Sequence, residues 1–473
     1  MFEDSENLWD DAERLATEAH QLYEDGDLTQ AHKQLRKAIN INPCNAAWLF
    51  NTGLTLDALE RHEEALECFQ NAVALAGDDP EILNCIAVDY TRMGQYDRSI
   101  EIFESIQQID PEFEPSYCNR IITYTEMDEH DKAEQMFYLA QQIKEDCPIC
   151  FYNIGNSLFV RGCYDRAAWC WQQTAKIDSE HPQINHRIAQ AHWANGNTKL
   201  ARAHFIEEIR QNPGDMDVVM DFGNFLLAVG DINNAKEKFS RVLEMESDNA
   251  SAMLYLGDIE LNKGDNDEAE NWYEQAREVD PNLKGPTYRL GQIAMRRSNH
   301  KAAIRLFRNE LSLGYSDSGV LMSIGKMLLA LGEVDDATDC FLAIVDNDPD
   351  NGKAFSMIAR TLLLRDEPES EGAVQFFEHA QALGYTDAKM TEELAGLYLV
   401  NGEIKLAAKA VAKGLDAGQT NVNLRLMKMK IQVAKFLRQT TGGLFDKIKV
   451  KIQMMATLLK CKLRQMISRS YRR

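Results

Sequence analysis

The sequence predicts an all-α protein built from about twelve copies of one helical hairpin, and three observations predict it. A small residue recurs every 34 positions from Ala31 to Ala337. A bulky residue follows each of these by four positions, and glycine or alanine precedes nearly all of them by twelve. Apolar residues recur at the three- and four-residue spacing that is typical of amphipathic helices. The ten small residues are Ala31, Ala65, Ser99, Ala133, Ala167, Ala201, Ala235, Ala269, Ala303 and Ala337.

Each 34-residue period is predicted to hold a helix, a turn and a second helix. Residues 252–261 and 267–279 both carry the helical pattern, and Asn262 to Asp265 form the turn between them. We expect the two small positions to face each other and let the backbones approach, while the bulky residue fills the groove to the next hairpin. Five prolines stop the second helix at one shared position: Pro43, Pro111, Pro213, Pro281 and Pro349.

This arrangement resembles the tetratricopeptide repeat family in its period and in its small, aromatic and proline positions. The resemblance implies an all-α solenoid of αα-hairpins forming a right-handed superhelix, in which the first helix of each unit lines a concave groove. We divide the chain into an acidic N-terminal lead (1–11), about twelve repeats (12–421), a capping helix (422–441) and a basic amphipathic C-terminal helix (442–473). The units begin at Ala12, Ala46, Pro80, Glu114, Pro148, Pro182, Met216, Ala250, Lys284, Ser318, Gly352 and Ala388.

The sixth and ninth positions of each first helix, which the resemblance places in the groove, hold a recurring set of polar residues. Asparagine is a poor residue inside a helix, so its recurrence favours a role in binding. An amide both donates and accepts hydrogen bonds, which suits it to grip the backbone of an extended peptide. The set resembles the asparagine ladder of the O-linked GlcNAc transferase branch of the family; a solvated polar face is the alternative. The predicted groove residues here are Asn51, Asn119, Asn153, Asn156, Arg187 and Asn224.

Further along, Arg289, Lys326 and Arg360 occupy the same positions, with Arg296 and Lys353 on the same helices. The cluster resembles the carboxylate clamp of co-chaperone members of the family, although its residues do not match that motif's order. Guanidinium groups bind carboxylates at two points, so the cluster predicts an acidic peptide as guest. The alternative is that acidic side chains on neighbouring helices neutralise these cations as surface ion pairs.

Cys147-Pro-Ile-Cys150 is the one short motif that could carry out chemistry, since Cys-x-x-Cys occurs both in zinc sites and in thiol redox sites. Cys163 and Cys170 are the obvious second pair for zinc, but a ten-residue helix separates Cys163 from Cys150 by roughly 15 Å. A weak alternative function is therefore a zinc or thiol-redox protein acting through Cys147 and Cys150. We predict reduced, mostly buried thiols, no cofactor, no metal and no catalytic site.

Charge is divided unevenly along the chain, whose net value is −23. From Val422 onward there are 14 basic residues and one acidic residue, a net of +13, against 37 basic and 73 acidic residues before it, a net of −36. After Gly443 the apolar residues fall on one predicted helical stripe with lysines beside it, which is typical of a helix at an anionic membrane surface. Docking on the acidic repeats and binding of RNA or another acidic partner remain open. The predicted contact residues are Phe445, Lys447, Ile448, Lys451, Ile452, Lys460, Lys462 and Arg464.

Taken together, these patterns predict a non-catalytic scaffold or adaptor that binds an extended segment of a partner protein in its groove. The alternative is an assembly or tethering factor recruited to a membrane surface by the basic tail. No secretory signal opens the sequence, and no run of about 18 apolar residues occurs, so the cytoplasm is the expected location, with the membrane surface as the alternative. The acidic repeats disfavour nucleic acid as a partner. Neither the partner's identity nor the oligomeric state is encoded in a recognisable motif.

Overall fold

The structure is a computed structural model that describes residues 2–314, 317–416 and 422–441, with side chains described for 9–314, 317–416 and 424–436. Within these residues there are 25 α-helices and no strand, which confirms the predicted all-α fold of repeated hairpins. None of the described helices is long and apolar enough to cross a membrane. The chain divides into two compact units, Met1–Ala235 and Lys236–Arg473.

Unit 1 holds the first six hairpins, each made of consecutive helices, and the first helix of the seventh. The helices are α1 (Phe2–Glu24), α2 (Leu28–Ile41), α3 (Ala46–Ala58), α4 (His62–Ala76), α5 (Pro80–Arg92), α6 (Tyr96–Ile109), α7 (Glu114–Glu126), α8 (His130–Ile143), α9 (Pro148–Val160), α10 (Tyr164–Ile177), α11 (Ile184–Ala194), α12 (Thr198–Gln211) and α13 (Met216–Ala228). The division between the units falls inside α14 (Ile232–Met245).

Unit 2 continues the same alternation through five further hairpins and ends with a single helix. Its helices are α15 (Ala250–Lys263), α16 (Asn266–Val279), α17 (Pro286–Arg296), α18 (His300–Ser312), α19 (Ser318–Leu331), α20 (Val334–Asn347), α21 (Gly352–Leu364), α22 (Ser370–Ala382), α23 (Ala388–Val400), α24 (Ile404–Asp416) and α25 (Val422–Thr441). Throughout both units the odd-numbered helices up to α23 are the first helices of hairpins.

In repeats whose first helix has glycine at the small position, the bulky residue of the second helix packs directly on that glycine. A Cβ atom added to Gly155 would lie 2.5 Å from Nε1 of Trp171, and one added to Gly257 would lie 2.5 Å from Cε1 of Tyr273. The atoms nearest to a Cβ at these glycines therefore belong to the aromatic ring. The two small positions also lie close together, since Ser99 Oγ donates to the backbone carbonyl of Ala87 at 2.8 Å and both residues are fully buried.

The same aromatic rings also reach the next hairpin, as the sequence predicts. Phe205 of α12 stacks on Phe222 of α13 with ring centroids 5.3 Å apart, and Phe239 of α14 stacks on Tyr255 of α15 at 4.9 Å. Each ring thus closes its own hairpin and joins it to the following one. Because these rings are almost fully buried, their contacts carry much of the apolar burial of the repeat.

The turn between the two helices has one backbone conformation in the first ten repeats. At the position of Gly264, φ is positive, and the same holds at each 34-residue step from Gly26 to Gly332. Glycine adopts this left-handed conformation without the steric cost that a side chain brings. Glu60, Asp128 and Ser298 adopt it at that cost, so the neighbouring hairpins impose the conformation there.

An asparagine or aspartate caps the start of most first helices, which sets the register of the side chains that follow. Its side chain accepts a hydrogen bond from a backbone N–H of the first turn, and this satisfies a donor that would otherwise lack a partner. The seven capping residues are Asn45, Asp79, Asp215, Asn249, Asp317, Asn351 and Asp387. At the equivalent position before α9 the residue is Cys147, whose sulfur accepts from the N–H of Cys150.

Gly155→Ala tests the contact between ring and glycine. The added methyl group must displace Trp171, whose Nε1 donates to the carbonyl of Tyr152 at 3.1 Å. Overpacking costs about 1–3 kcal/mol and the gain in helix propensity returns about 1 kcal/mol, so we expect the free energy of unfolding in urea to fall by up to about 2 kcal/mol. Gly214→Ala is the control, because no atom lies within 4 Å of a Cβ built there. Equal stability of the two variants would contradict the packing role.

Candidate protein-binding face

The sixth and ninth residues of each first helix lie three positions apart and therefore share one side of that helix. We call this side the first-helix face. In unit 1 the structure leaves Asn51 exposed and places Asn119, Asn156, Arg187 and Asn224 half-buried. Asn153 is only 6% exposed. The predicted groove residues of unit 1 thus differ strongly in how much of each side chain a ligand could reach.

Two of the predicted asparagines form hydrogen bonds to the preceding repeat. Asn153 Nδ2 donates to the backbone carbonyl of Cys118 at 3.1 Å, and Asn119 Nδ2 donates to Oδ1 of Asn84 at 3.1 Å. These amides join adjacent first helices, α7 to α9 and α5 to α7. By contrast, Oδ1 of Asn224 is buried and has no hydrogen-bond partner among the described residues. Asn153 therefore joins two adjacent repeats, a role that the spacing of the asparagines in the sequence did not reveal.

A polar network joins the first-helix faces of α11 and α13. His186 Nε2 and Gln190 Nε2 both lie 2.8 Å from Oδ2 of Asp221, while Arg187 lies beside Gln190 at 3.5 Å. The hydrogen bond from His186 is the main reason why the pKa of Asp221 is lowered. His186 is buried at the fifth position of its repeat, so reading only the sixth and ninth positions missed it.

In unit 2 the predicted arginines lie in ion pairs with the neighbouring repeat. Arg289 Nε is 2.8 Å from Oδ1 of Asp258, which also accepts a hydrogen bond from the hydroxyl of Tyr273 at 2.7 Å. Arg360 pairs with Asp387 at 3.1 Å and with Glu393 at 2.8 Å. Both guanidinium groups therefore have carboxylate partners within the chain.

The two lysines of the cluster have no such partner. Lys326 on α19 and Lys353 on α21 are exposed, and neither forms an ion pair with a described residue. Burial lowers the pKa of Lys326, and the charges of Lys353 and Arg360 lower it further. The ammonium groups thus repel one another across adjacent repeats. A carboxylate placed between them would relieve that repulsion.

The predicted contact residues of the basic tail, Phe445 to Arg464, lie outside the described residues. The structure does describe α25, whose Leu424, Met427 and Ile431 are buried together with residues of α23 and α24. Four apolar side chains of α25 are about half exposed or more: Leu426, Met429, Val433 and Phe436. The basic residues among them, all exposed, are Arg425, Lys428, Lys430 and Lys435.

Cys147 and Cys150 lie beside residues of the preceding repeat rather than beside Cys163 and Cys170. Cys118 Sγ is 3.7 Å from Cys147 Sγ, and Glu114 Oε1 is 3.2 Å from Cys150 Sγ. Cys118 and Cys150 are joined by a disulfide, so the prediction of reduced thiols is wrong for this pair. The signal that the sequence offers is the repeat itself, because residues 114 and 148 are one period apart and begin adjacent first helices.

Asp57, His62 and Asp89 form a second cluster of ionisable side chains, in the hairpin turns of unit 1. His62 Nδ1 lies 3.0 Å from Asp57 Oδ1 and 3.2 Å from Asp89 Oδ1. Arg92 forms an ion pair with Asp57 and lies 3.8 Å from Asp89. The guanidinium supplies the positive charge that a metal would bring, so this cluster is complete without an ion. Burial raises the pKa of Asp89, and the hydrogen bond and charge of Asp57 raise it further.

Comparison with known proteins agrees with this architecture. The sequence pattern of the tetratricopeptide repeat matches residues 16–80, 152–215, 220–283 and 288–352. Anaphase-promoting complex subunit 3 of Schizosaccharomyces pombe is 21% identical over 321 residues, which cover 68% of this chain and 48% of that protein. TPR repeat-containing protein YpiA of Bacillus subtilis is 22% identical over 387 residues, covering 78% of this chain and 87% of that protein. The crystal structure of yeast Tom70 aligns with a TM-score of 0.38 at 15% identity, covering 93% of this chain and 99% of that one.

The fold and its first-helix face define a helical-hairpin repeat protein, and the matched ranges make up more than half of the chain. The chain belongs to the tetratricopeptide repeat family. Members of this family act as protein-interaction scaffolds, which use the surface of stacked repeats for binding. The chain spans about half the length of the anaphase-promoting complex subunit that it matches.

Asp89→Asn tests the raised pKa of Asp89 in the cluster of Asp57, His62 and Asp89. The pKa of Asp89 in the folded chain lies above its ordinary value of 3.8, so the folded state holds this proton more tightly than the unfolded state. That contribution to stability is present at low pH and is lost as the pH rises from about 4 toward neutral and beyond. In urea unfolding, the free energy of unfolding of the variant minus that of the natural protein should therefore be more positive at pH 8 than at pH 5. Asp97→Asn on α6 controls for a lost surface charge, and an equal difference at both pH values would contradict the shifted pKa.

Proposed function

We propose that the protein is a non-catalytic scaffold that binds an extended acidic segment of a partner protein on the first-helix face of unit 2. The observation that carries the proposal is the pair Lys326 and Lys353, two ammonium groups on adjacent first helices without an acidic partner among the described residues. They stand in a stretch of 421 residues whose net charge is −36, so neighbouring carboxylates are abundant. A partner's carboxylates are the natural counter-charge for these two lysines.

The arginines of the same face have a supporting role in this proposal. Asp387 and Glu393 hold Arg360 from two sides, which fixes the guanidinium at the end of the lysine pair. Asp258 holds Arg289 in the same way two repeats earlier. A side chain that is already fixed by ion pairs loses little conformational entropy when a ligand binds. These arginines therefore add to the positive electrostatic potential of the face at a small entropic cost. The lysines make the direct contacts with the guest.

The polar residues of unit 1 supply a second, weaker part of the proposed surface. Asn51 and Asn156 form no side-chain hydrogen bond with a described residue, and Asn224 keeps one amide oxygen without a partner. These amides suit the backbone of an extended peptide, whatever its side chains. Arg187 lies 3.5 Å from Gln190 of its own helix and adds a donor for a peptide carbonyl or carboxylate. Asn119 and Asn153 support the row through their bonds to the preceding helices.

Lys326→Gln combined with Lys353→Gln should weaken binding of an acidic peptide without lowering stability. Each exposed ion pair contributes about 0.2–1 kcal/mol, so the double variant should lose about two- to thirtyfold in affinity. The melting temperature should stay equal or rise slightly, because the repulsion between the two lysines is removed. Fluorescence anisotropy with a labelled Glu-rich peptide, at low and moderate salt, measures the affinity.

The matched control is Lys301→Gln with Lys409→Gln, which removes the same charge from two exposed lysines on the second helices α18 and α24. If both double variants weaken binding equally, the peptide senses only the net charge and the first-helix face is not the site. A large loss of stability in the Lys326 variant would likewise contradict a ligand role for these lysines.

A second candidate function, recruitment to an anionic membrane surface, is favoured by α25. Its solvent-facing side carries Leu426, Met429 and Val433 among four exposed basic residues. Apolar side chains beside basic ones match the composition of a helix that lies in an anionic interface. The helix α25 is followed in the sequence by residues 442–473, which carry further lysines and arginines. The two segments would therefore bind the same anionic membrane surface.

Flotation with phosphatidylserine vesicles tests this second function. Full-length protein should float with the vesicles, Met429→Glu should reduce the floating fraction, and a form ending near Gln439 should reduce it further. Leu342→Glu on α20 is the control, because Leu342 is an exposed apolar residue without basic neighbours on its face. Membrane recruitment is refuted if full-length and truncated protein float equally poorly.

A further inference from the structure

Four side chains of metal-binding type converge where two adjacent repeats of unit 1 meet. Glu114 begins α7 and Cys118 follows one turn later, while Cys147 and Cys150 flank the start of α9. One ligand atom from each of these residues lies within 4.8 Å of every other. Glu114 Oε1 is 2.9 Å from Cys118 Sγ and 3.2 Å from Cys150 Sγ. The three cysteines are buried and the glutamate is half-buried.

Cys147 is an unusual residue for its place in the repeat. Seven other first helices have an asparagine or aspartate at the capping position, and the oxygen of that side chain is a strong acceptor for the first-turn N–H. A thiol is a weak acceptor, and the N–H of Cys150 lies 3.4 Å from the Cys147 sulfur. The disulfide between Cys118 and Cys150 makes no use of Cys147 or Glu114. The disulfide therefore leaves Glu114 unexplained, and weak helix capping is the only role that it leaves to Cys147.

The distances suit a tetrahedral ion. Sulfur ligands about 2.3 Å from a central zinc lie about 3.8 Å apart at the corners of a tetrahedron. The separation of 3.7 Å between the sulfurs of Cys118 and Cys147 matches that edge. Three sulfurs and one carboxylate oxygen favour Zn²⁺ over magnesium or calcium, which prefer oxygen ligands alone.

We propose that in the reduced protein Glu114, Cys118, Cys147 and Cys150 bind one Zn²⁺ ion, which clamps the repeat of α7 and α8 to the repeat of α9 and α10. A dithiol or phosphine reductant supplies two electrons to the disulfide, and two protons convert its sulfurs to thiols. Zn²⁺ then displaces three thiol protons to solvent and binds three thiolates and the carboxylate. The disulfide and the zinc complex exclude each other, because both require the sulfurs of Cys118 and Cys150.

The surroundings favour an ion at this point. Three thiolates and a carboxylate carry four negative charges, which would repel one another strongly if they were buried without a cation. Zn²⁺ offsets two of these charges, and the N-termini of α7 and α9 both point their positive ends at the site. Because the ion binds thiolates and not thiols, metal binding should release protons and be weaker at lower pH.

The test uses full-length protein, reduced with a phosphine, loaded with Zn²⁺ and desalted. We expect one zinc per chain by mass spectrometric metal analysis. Replacement by Co²⁺ should give the visible bands of a tetrahedral ion and a thiolate-to-cobalt charge-transfer band. Cys147→Ser should lower the affinity about tenfold or more while the Cys118–Cys150 disulfide still forms on oxidation. Glu114→Gln should weaken binding and shift the cobalt bands with all three sulfurs retained.

Cys163→Ser is the matched control, since Cys163 lies at the far end of the same hairpin and should leave metal content unchanged. Circular dichroism of each metal-free variant checks that it folds. If a variant does not fold, the zinc content and cobalt spectrum of the natural protein still test the proposal. The proposal is overturned if reduced natural protein retains no zinc or shows no tetrahedral cobalt spectrum. It is also overturned if Cys147→Ser binds zinc as tightly as the natural protein.

Discussion

The contact on which the rest of the structure depends is the packing of a bulky side chain, in most repeats an aromatic ring, against a small residue of the first helix. Trp171 on Gly155 and Tyr273 on Gly257 show its geometry, in which no space remains for a Cβ atom. The ring closes its own hairpin and also stacks on the next one, as Phe205 does on Phe222. A hairpin without its neighbour would leave this ring exposed, so the repeats are stable only as a stack.

Stacking at a fixed period decides which side chains meet. A residue of one first helix contacts residues about one period away, so Asn153 bonds to Cys118 and Arg360 bonds to Glu393. Second helices mainly carry the buried rings, and polar bonds between repeats join first helices as well as second ones, such as Arg308 of α18 to Asp336 of α20. Both proposed sites follow from this rule: the lysine pair joins α19 to α21, and the cysteine cluster joins α7 to α9.

The fold was predictable because its period is repeated along the sequence, and the first helices from α3 to α23 begin within two residues of the unit starts that the pattern indicates. The helix α1 begins earlier, at Phe2, and includes residues that were assigned to the N-terminal lead. For the candidate site, the sequence predicted which face of the first helices is involved but not which side chains on that face are available to a ligand. The sequence identifies Arg289 and Lys326 as members of the same row, yet the structure pairs the first with Asp258 and gives the second no acidic partner among the described residues. Pairing depends on side-chain reach between helices, which spacing within one helix does not encode. Cys147 and Cys150 show the same limit, because their partners lie one period earlier and not along the same hairpin.

The central claim is that first helices recognise the partner while second helices hold the stack together. Hydrogen exchange followed by mass spectrometry, on full-length protein with and without a bound Glu-rich peptide, tests it most directly because it reports protection helix by helix. The account predicts that the peptide slows exchange in α19 and α21 and leaves α18, α20 and α22 unchanged. Protection confined to the second helices, or to α25, would contradict it.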